Sequence, residues 1–344
     1  MTKRINLALQ GGGAHGAFTW GVLNVLLADE DIEIAGISGT SAGALNGSAL
    51  KAGLISGGRE GALSNLEWLW RQIGAVTDPE LEPWIASLTP FAGAFAKALD
   101  YSPAYAAFDF STRMLSPYMY SGLVKNPLER IVQELHFDQV CAADGPALWI
   151  CATNVRSGKI KLFQGDEINP KAIMASACLP SLFEAVEIED PDTGKLEAYW
   201  DGGYTGNPAL FPLFDKDLPD DILVVNINPL YREEVPVDST AIQNRVNEIS
   251  FNTSLLRELR SISFVQRLLA NGSIKRGTMK NVLVHMIADD ALMNELSVAT
   301  KTIPTPVILN RLKAAGEAAA KVFLSEHKDD LNERSTVDLA AMFS

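Results

Sequence analysis

With 344 residues, 47% of them apolar and 21% charged, the chain can bury a large core, as one α/β domain or as two smaller ones. Its 29 Lys and Arg against 42 Asp and Glu leave a net charge of −13. No basic patch or tail interrupts that balance, which argues against a nucleic-acid footprint and against electrostatic capture by anionic lipid.

The three cysteines, Cys141, Cys151 and Cys178, are few and odd in number. They read as small buried hydrophobes in a reducing compartment, not as a disulfide framework. The N-terminal MTKR and the INLALQGGGAHGAFTWGVLNVLL after it have the look of a charged and an apolar leader region. The glycine triplet and His15 break the apolar run, and no small-x-small cleavage site precedes the acidic DEDIE, so the segment is expected to belong to the fold. No uninterrupted apolar run of about 18 residues occurs elsewhere. A membrane-spanning helix is therefore not expected, and the expected location is cytoplasmic, with at most transient peripheral membrane contact.

In chain order, INLAL (5–9) reads as a short buried strand entering the cluster QGGGAHG, and FTWGVLNVLLAD carries an apolar helical face through Phe18, Val22, Val25 and Leu26. EIAGI (33–37) is the next strand, GTSAG turns the chain, and ALNGSALKAGL continues as a helix of small residues. This repeated strand–turn–helix opening declares an α/β layered fold. Residues 60–73 form a further helix. From 74 to 122, Pro79, Pro83, Pro90, Pro103 and Pro117 punctuate a segment rich in Tyr and Phe, read either as an inserted cap or as irregular helical packing.

Residues 123–135 then read as a helix, 146–165 as a hairpin turning at Arg156–Lys159, and NPKAIMASACLP as a helix stopped by Pro180. FEAVEI and KLEAYWDGG pair as strands within 183–203. DILVVNIN (221–228) and NVLVHMI (281–287) are buried strands on either side of a long helix over 238–271, and helices over 304–344 close the chain. Neither an internal repeat nor a linker divides it. One domain over 1–344 is expected, with a mostly parallel central sheet flanked by helices.

The chemistry gathers around GISGTSAG (36–43), which sets Ser41 at a strand-to-helix turn between Gly39 and Gly43. So sharp a turn admits only small neighbours, and it projects the hydroxyl near a helix N-terminus, whose free N–H groups and dipole favour developing negative charge. Gly11, Gly12, Gly13 and Ala14, followed by His15 and Gly16, also come directly after a strand. Such a loop can cradle a phosphate, form an oxyanion hole, or simply turn the chain. No Gly-Lys-Ser/Thr follows, and no acidic residue closes the next strand as a dinucleotide fingerprint requires. An oxyanion hole beside Ser41 explains both glycine clusters with one mechanism.

A serine nucleophile needs a base, and the chain holds four histidines. His136 and His327 read as structural or exposed, His285 sits inside an apolar strand, and His15 precedes the serine, so the Ser…Asp…His order of an α/β-hydrolase is poorly served. Asp201 ends an apolar strand and is followed by Gly202-Gly203, which lets another backbone approach. It is the better base, given a short hydrogen bond to the serine and enough desolvation to raise its proton affinity.

Taken together, Gly11-Gly12-Gly13-Ala14-His15-Gly16, Gly39-Thr40-Ser41-Ala42-Gly43 and Asp201-Gly202-Gly203, in that order, resemble the patatin-like phospholipase family. Ala175-Ser176-Ala177 with Pro180 and the later Asn207-Pro208 fit the same pattern, and the resemblance spans roughly 5–210. It implies a three-layer α/β sandwich with a Ser–Asp dyad that hydrolyses acyl esters of lipids without a metal or organic cofactor. Ser41 is then the nucleophile, Asp201 the base, and the N–H groups of the loop around Gly12, Gly13 and Ala14 the oxyanion hole. The implied partner is a lipid or membrane-surface substrate, with the aromatic 91–122 stretch a candidate wall or lid for its acyl chain. The family usually carries Arg or Lys where this chain has His15, so electrostatic support from that position requires a protonated imidazole. A catalytically silent lipid-binding relative is the alternative.

Overall fold

The computed structural model describes residues 2–75, 81, 87–88, 92–119, 126–191 and 193–344. Strands β1 (Lys3–Leu9), β2 (Ile32–Thr40), β3 (Ala147–Asn154), β4 (Ile160–Gln164), β5 (Val186–Asp190), β6 (Lys195–Asp201), β7 (Asp221–Val225) and β8 (Leu283–Ile287) make one sheet in the order β5-β6-β3-β2-β1-β7-β8, with β4 paired to β3. The run from β3 through β2, β1 and β7 to β8 is parallel, whereas β4, β5 and β6 pair antiparallel.

Helices α1 (Gly16–Ala28), α2 (Ala42–Ile73), α3 (Ala92–Asp100), α4 (Pro103–Met114), α5 (Leu128–Gln133), α6 (Phe137–Val140), α7 (Pro170–Ser176), α8 (Ser239–Ala270), α9 (Asp290–Glu295), α10 (Val298–Thr302), α11 (Pro306–His327) and α12 (Leu339–Met342) surround it. Strand alternation decides the layers. In β7, Leu223 and Val225 enter the core shared with α1, α2 and α11, while Ile222 and Val224 enter the core shared with α8 and Leu339 of α12. A sheet buried on both faces between helices is the expected α/β arrangement.

The helices expected on either side of residue 57 are both present within α2, separated by the non-helical backbone of Gly57 and of Gly58, whose φ is 63°. Departures from the sequence reading have local causes. The strand expected over 221–228 stops at Val225, because Ile227 and Asn228 turn their N–H groups to the Gln10 side chain. The helix expected over 123–135 is described as Leu128–Gln133 with Pro127 capping it; residues 123–125 lie outside the described residues. So do Pro79, Pro83, Pro90 and Tyr120 of the proline-punctuated segment. Its described part includes α3 and α4, which expose Phe95, Phe110 and Met114, and the turn between them, which exposes Tyr101. Among the described residues, no helix is long and apolar enough to cross a membrane.

His285 has the core role read from its strand. Its Nε2 lies 2.9 Å from Asp221 Oδ1, and Asn332 donates to the same carboxylate from its backbone N–H (2.7 Å) and Nδ2 (2.9 Å). This network ties β7, β8 and the C-terminal segment together at the amino end of β7, away from Ser41. Burial pushes the Asp221 carboxyl up, but the donors from His285 and Asn332 outweigh it and hold it below the ordinary range. A depressed carboxyl adds stability above its unfolded pKa and loses it as pH falls through the folded one. Asp221→Ala is therefore expected to lower the unfolding free energy in urea by about 3–5 kcal/mol at neutral pH, with the penalty shrinking below pH ~4.

Candidate active site

Three strand ends converge: β1, the neighbour of β7, runs into the glycine loop, β2 into Ser41, and β6, paired to β3, into Asp201. Strand β4 occupies one edge of β3 along Trp149–Thr153, so the other edge is divided. Thr40 of β2 pairs with Cys151, and Asp201 of β6 pairs with the next residue, Ala152. The residue before Ser41 and the proposed base thus occupy adjacent rungs of one strand.

Ser41 takes φ 53° and ψ −118°. Among the described residues only Ser41 and Asn332 combine a side chain with positive φ, a strain of about 1–3 kcal/mol. The surroundings enforce it. A side chain at Gly43 would collide with the Leu9 carbonyl, and one at Gly11 would meet Ser41 Cβ and the Thr40 carbonyl at 2.8 Å each. The turn is then held by hydrogen bonds. Ser41 N–H donates to Ser176 Oγ at 2.9 Å, its carbonyl accepts from Leu45 N–H at 3.1 Å, and Thr40 Oγ1 donates to the Gly206 carbonyl at 2.6 Å. The Ala175-Ser176-Ala177 motif thereby acquires a task that the sequence did not reveal: it anchors the backbone of Ser41. Ala42 N–H, the first of α2, is one of the donors a helix start leaves open.

Asp201 is 1% exposed. Its backbone is fixed from both sides, by N–H donation to the Cys178 carbonyl (2.8 Å) and acceptance from Thr153 Oγ1 (2.8 Å). Oδ1 accepts from Gly203 N–H at 2.7 Å. Phe251 packs where a Gly203 side chain would lie, with the Tyr204 ring 5.3 Å from it. This apolar cover keeps water away. Burial raises the carboxyl to about 7, against the opposing pull of the Gly203 N–H and of a hydrogen bond with Ser41. The structure thus brings Ser41 and Asp201 together, with the acid close to half-ionised at neutral pH.

The glycine loop is organised by a buried polar cluster. Gln10 Oε1 accepts from Ile227 N–H (2.8 Å), Asn228 N–H (3.0 Å) and Asn228 Nδ2 (3.1 Å), while its Nε2 donates to the Asn207 carbonyl and Asn252 Oδ1. Gly11 N–H donates to Asn207 Oδ1 at 2.7 Å, so that donor is already committed. The N–H groups of Gly12 and Gly13 have no hydrogen-bond acceptor among the described residues. Gly13 needs its φ of 58° and has the Lys301 carbonyl where a side chain would be. Gln10, Asn228 and Asn252 escaped the sequence reading; the only trace of them there is polar Asn226 and Asn228 closing an apolar strand.

His15 is 1% exposed, with Nε2 2.8 Å from Thr300 Oγ1. Thr300 donates its own proton to the Ser297 carbonyl (2.8 Å), so it accepts from His15 Nε2–H. Nδ1 is left as a buried lone pair without a partner. Burial, then Lys301, push the imidazole well below its ordinary value. His15 is therefore neutral, and the positive charge that a protonated imidazole would add to the loop is not supplied from this position. Among the described residues, no group of three or more His, Cys, Asp or Glu is placed to hold a metal ion.

No curated protein matches the chain. Among solved structures it is similar to VipD from Legionella pneumophila, with 16% identity, a TM-score of 0.40, and coverage of 94% of this chain and 67% of that one. A family model described as patatin-like phospholipase matches residues 7–214, well over half of the chain and the whole span from β1 to the loop beyond Asp201. The chain belongs to the patatin-like phospholipase family.

Proposed function

We propose that the protein is a serine acyl hydrolase cleaving carboxylic ester bonds of lipids, with Ser41 as nucleophile and Asp201 as general base. Members of the family are lipid acyl hydrolases, and the observation that carries the finer reading is the buried Asp201 carboxyl, raised to about 7 and hydrogen-bonded by Ser41. A carboxylate with an ordinary pKa is too weak a base for a serine hydroxyl. Raising it towards the operating pH increases the driving force for proton transfer while leaving enough ionised base.

In the first half-reaction, Asp201 takes the Ser41 proton as Oγ bonds to the ester carbonyl carbon. The oxygen that becomes negative is received by the open N–H groups of Gly12 and Gly13, beside the start of α2. Asp201 then returns the proton to the departing alcohol, leaving an acyl-serine. Water enters, gives a proton to Asp201 and attacks the acyl carbon, and Ser41 leaves with that proton as the fatty acid is released. The Gly11 N–H takes no part, because Asn207 holds it. The exposed aromatic side chains of α3 and α4 suit a wall for an acyl chain, since α3 packs on α10 and α10 packs on the glycine loop.

Fatty-acid release from a panel of phospholipids, lysophospholipids, triacylglycerols and p-nitrophenyl esters tests this reading. Ser41→Ala and Asp201→Asn should each lose roughly 10³-fold or more in kcat; full turnover in either would eliminate the dyad, and lipid binding without release would mark a silent relative. In the wild type, kcat/KM should rise with pH through a midpoint near 7, the point at which Asp201 ionises.

The same raised pKa makes a prediction about stability. A carboxyl lifted from 3.8 to about 7 leaves the fold unburdened below its unfolded pKa and costs it stability as pH rises through the folded value. Asp201→Asn should unfold at a higher temperature than wild type at pH ~8, by the equivalent of a few kcal/mol on the order of the shift, and match it near pH ~4. Calorimetry at the two pH values checks this, and shows at the same time that the inactive variant is folded.

A further inference from the structure

Beyond the stretch matched by the family model, Lys301 of α10 lies against the glycine loop. Its Nζ donates to Asn228 Oδ1 at 2.7 Å. Asn228 Nδ2 donates in turn to the Gly11 carbonyl at 2.8 Å, and Asn207 Nδ2 reaches that carbonyl at 3.4 Å. The Gly11 carbonyl and the Gly12 N–H belong to one peptide unit. A trans peptide points the two in opposite directions, so holding the carbonyl from the Asn228 side aims the N–H away from it. Hydrogen bonds in a row also polarise one another. A charged donor at the head of the row strengthens each link, ending at the Gly12 N–H.

We propose that Lys301 is the cation of the oxyanion loop in this chain, a positioning residue that acts through Asn228 and the Gly11 carbonyl to orient and polarise the Gly12 N–H. This rests on the acyl-hydrolase reading above. The neutral His15 is adjacent, tied to Thr300, the residue before Lys301, so the charge missing at position 15 is delivered from α10 instead. A cation is not needed simply to fill this space. Asn228 Oδ1 requires only a donor, and keeping an ammonium in so desolvated a place is costly. Among the described residues the charged groups acting on Lys301 are Glu248 and Arg232, and the titratable neighbour on the loop side is the neutral His15. Burial lowers its pKa to about 8, Glu248 opposes this, and Arg232 adds to it. Glu248 is itself paired with Arg232 (2.5 Å) and Arg245 (3.2 Å).

The test is steady-state hydrolysis of p-nitrophenyl butyrate by the full chain over pH 6–10. Lys301→Met should lower kcat about tenfold or more, short of the ~10²-fold or larger cost of deleting an oxyanion donor, with KM little changed. Asn228→Asp keeps the acceptor for Lys301 but removes the donor to Gly11, and should lose as much. Lys301→Arg should retain most activity and abolish the decline above pH ~8 expected of the wild type, because guanidinium does not titrate there. If Lys301→Met does not fold, the arginine variant decides: an alkaline limb persisting near pH 8 overturns the proposal. Full kcat in Lys301→Met or Asn228→Asp, or a loss confined to KM, also overturns it. Absence of turnover by the wild type on every ester would instead sink the hydrolase reading itself.

Discussion

Strand β3 hands one edge from β2 to β6 between Cys151 and Ala152, and the geometry of the candidate site depends on that exchange. Adjacent residues on a strand lie about 3.3 Å apart along it, so the chain leaving β2 at Thr40 and the chain ending β6 at Asp201 are brought within one rung of each other. No loop has to reach across the site. The geometry is set by backbone ladders, which are stiff, and not by side-chain rotamers, which are not. The Gly202 backbone sits where any side chain would strike the Cys151 carbonyl, which keeps the junction tight.

Such placement has costs. Ser41 is held at a backbone conformation that residues with side chains avoid, and Asp201 is buried where its ionised form is disfavoured. Both are sustained by the two apolar cores that sandwich the sheet, rich in Ile, Leu and Val from every central strand. The stable end of β7, where Asp221 accepts from His285 and Asn332, and the strained end, where the strands deliver Ser41 and Asp201, are opposite ends of the same sheet. One provides rigidity and the other uses it.

The polar interior is organised by amides. Gln10, Asn207, Asn228 and Asn252 are each buried and share hydrogen bonds across β1, the loop after β6, the end of β7 and α8. An amide carries donors and acceptors together, so it can satisfy backbone groups on both sides without introducing charge. A low-dielectric pocket lined in this way amplifies the few charges it does contain. The overall charge of −13 is therefore a poor guide to the site, whose character comes from one buried acid, one neutral imidazole and one partly buried lysine.

The α/β class and most strand positions were legible in the sequence, and so were Ser41 and Asp201 as candidates for one site. These follow from local rules: period-two burial in strands, small residues at a sharp strand-to-helix turn, and glycines where backbones must meet. Element ends were less legible. Where β7 stops depends on Gln10, more than two hundred residues earlier in the chain. The family resemblance drew attention to His15 as an absent cation, and only the folded chain shows that burial and the nearby Lys301 keep it neutral. Sequence by itself determined which residue types could do the chemistry, because nucleophile, acid and glycine loop are local signatures. Tertiary structure alone decided which N–H groups remain free, how far the Asp201 carboxyl is raised, and which lysine approaches the loop, because each of these is set by neighbours that the chain brings in from a distance.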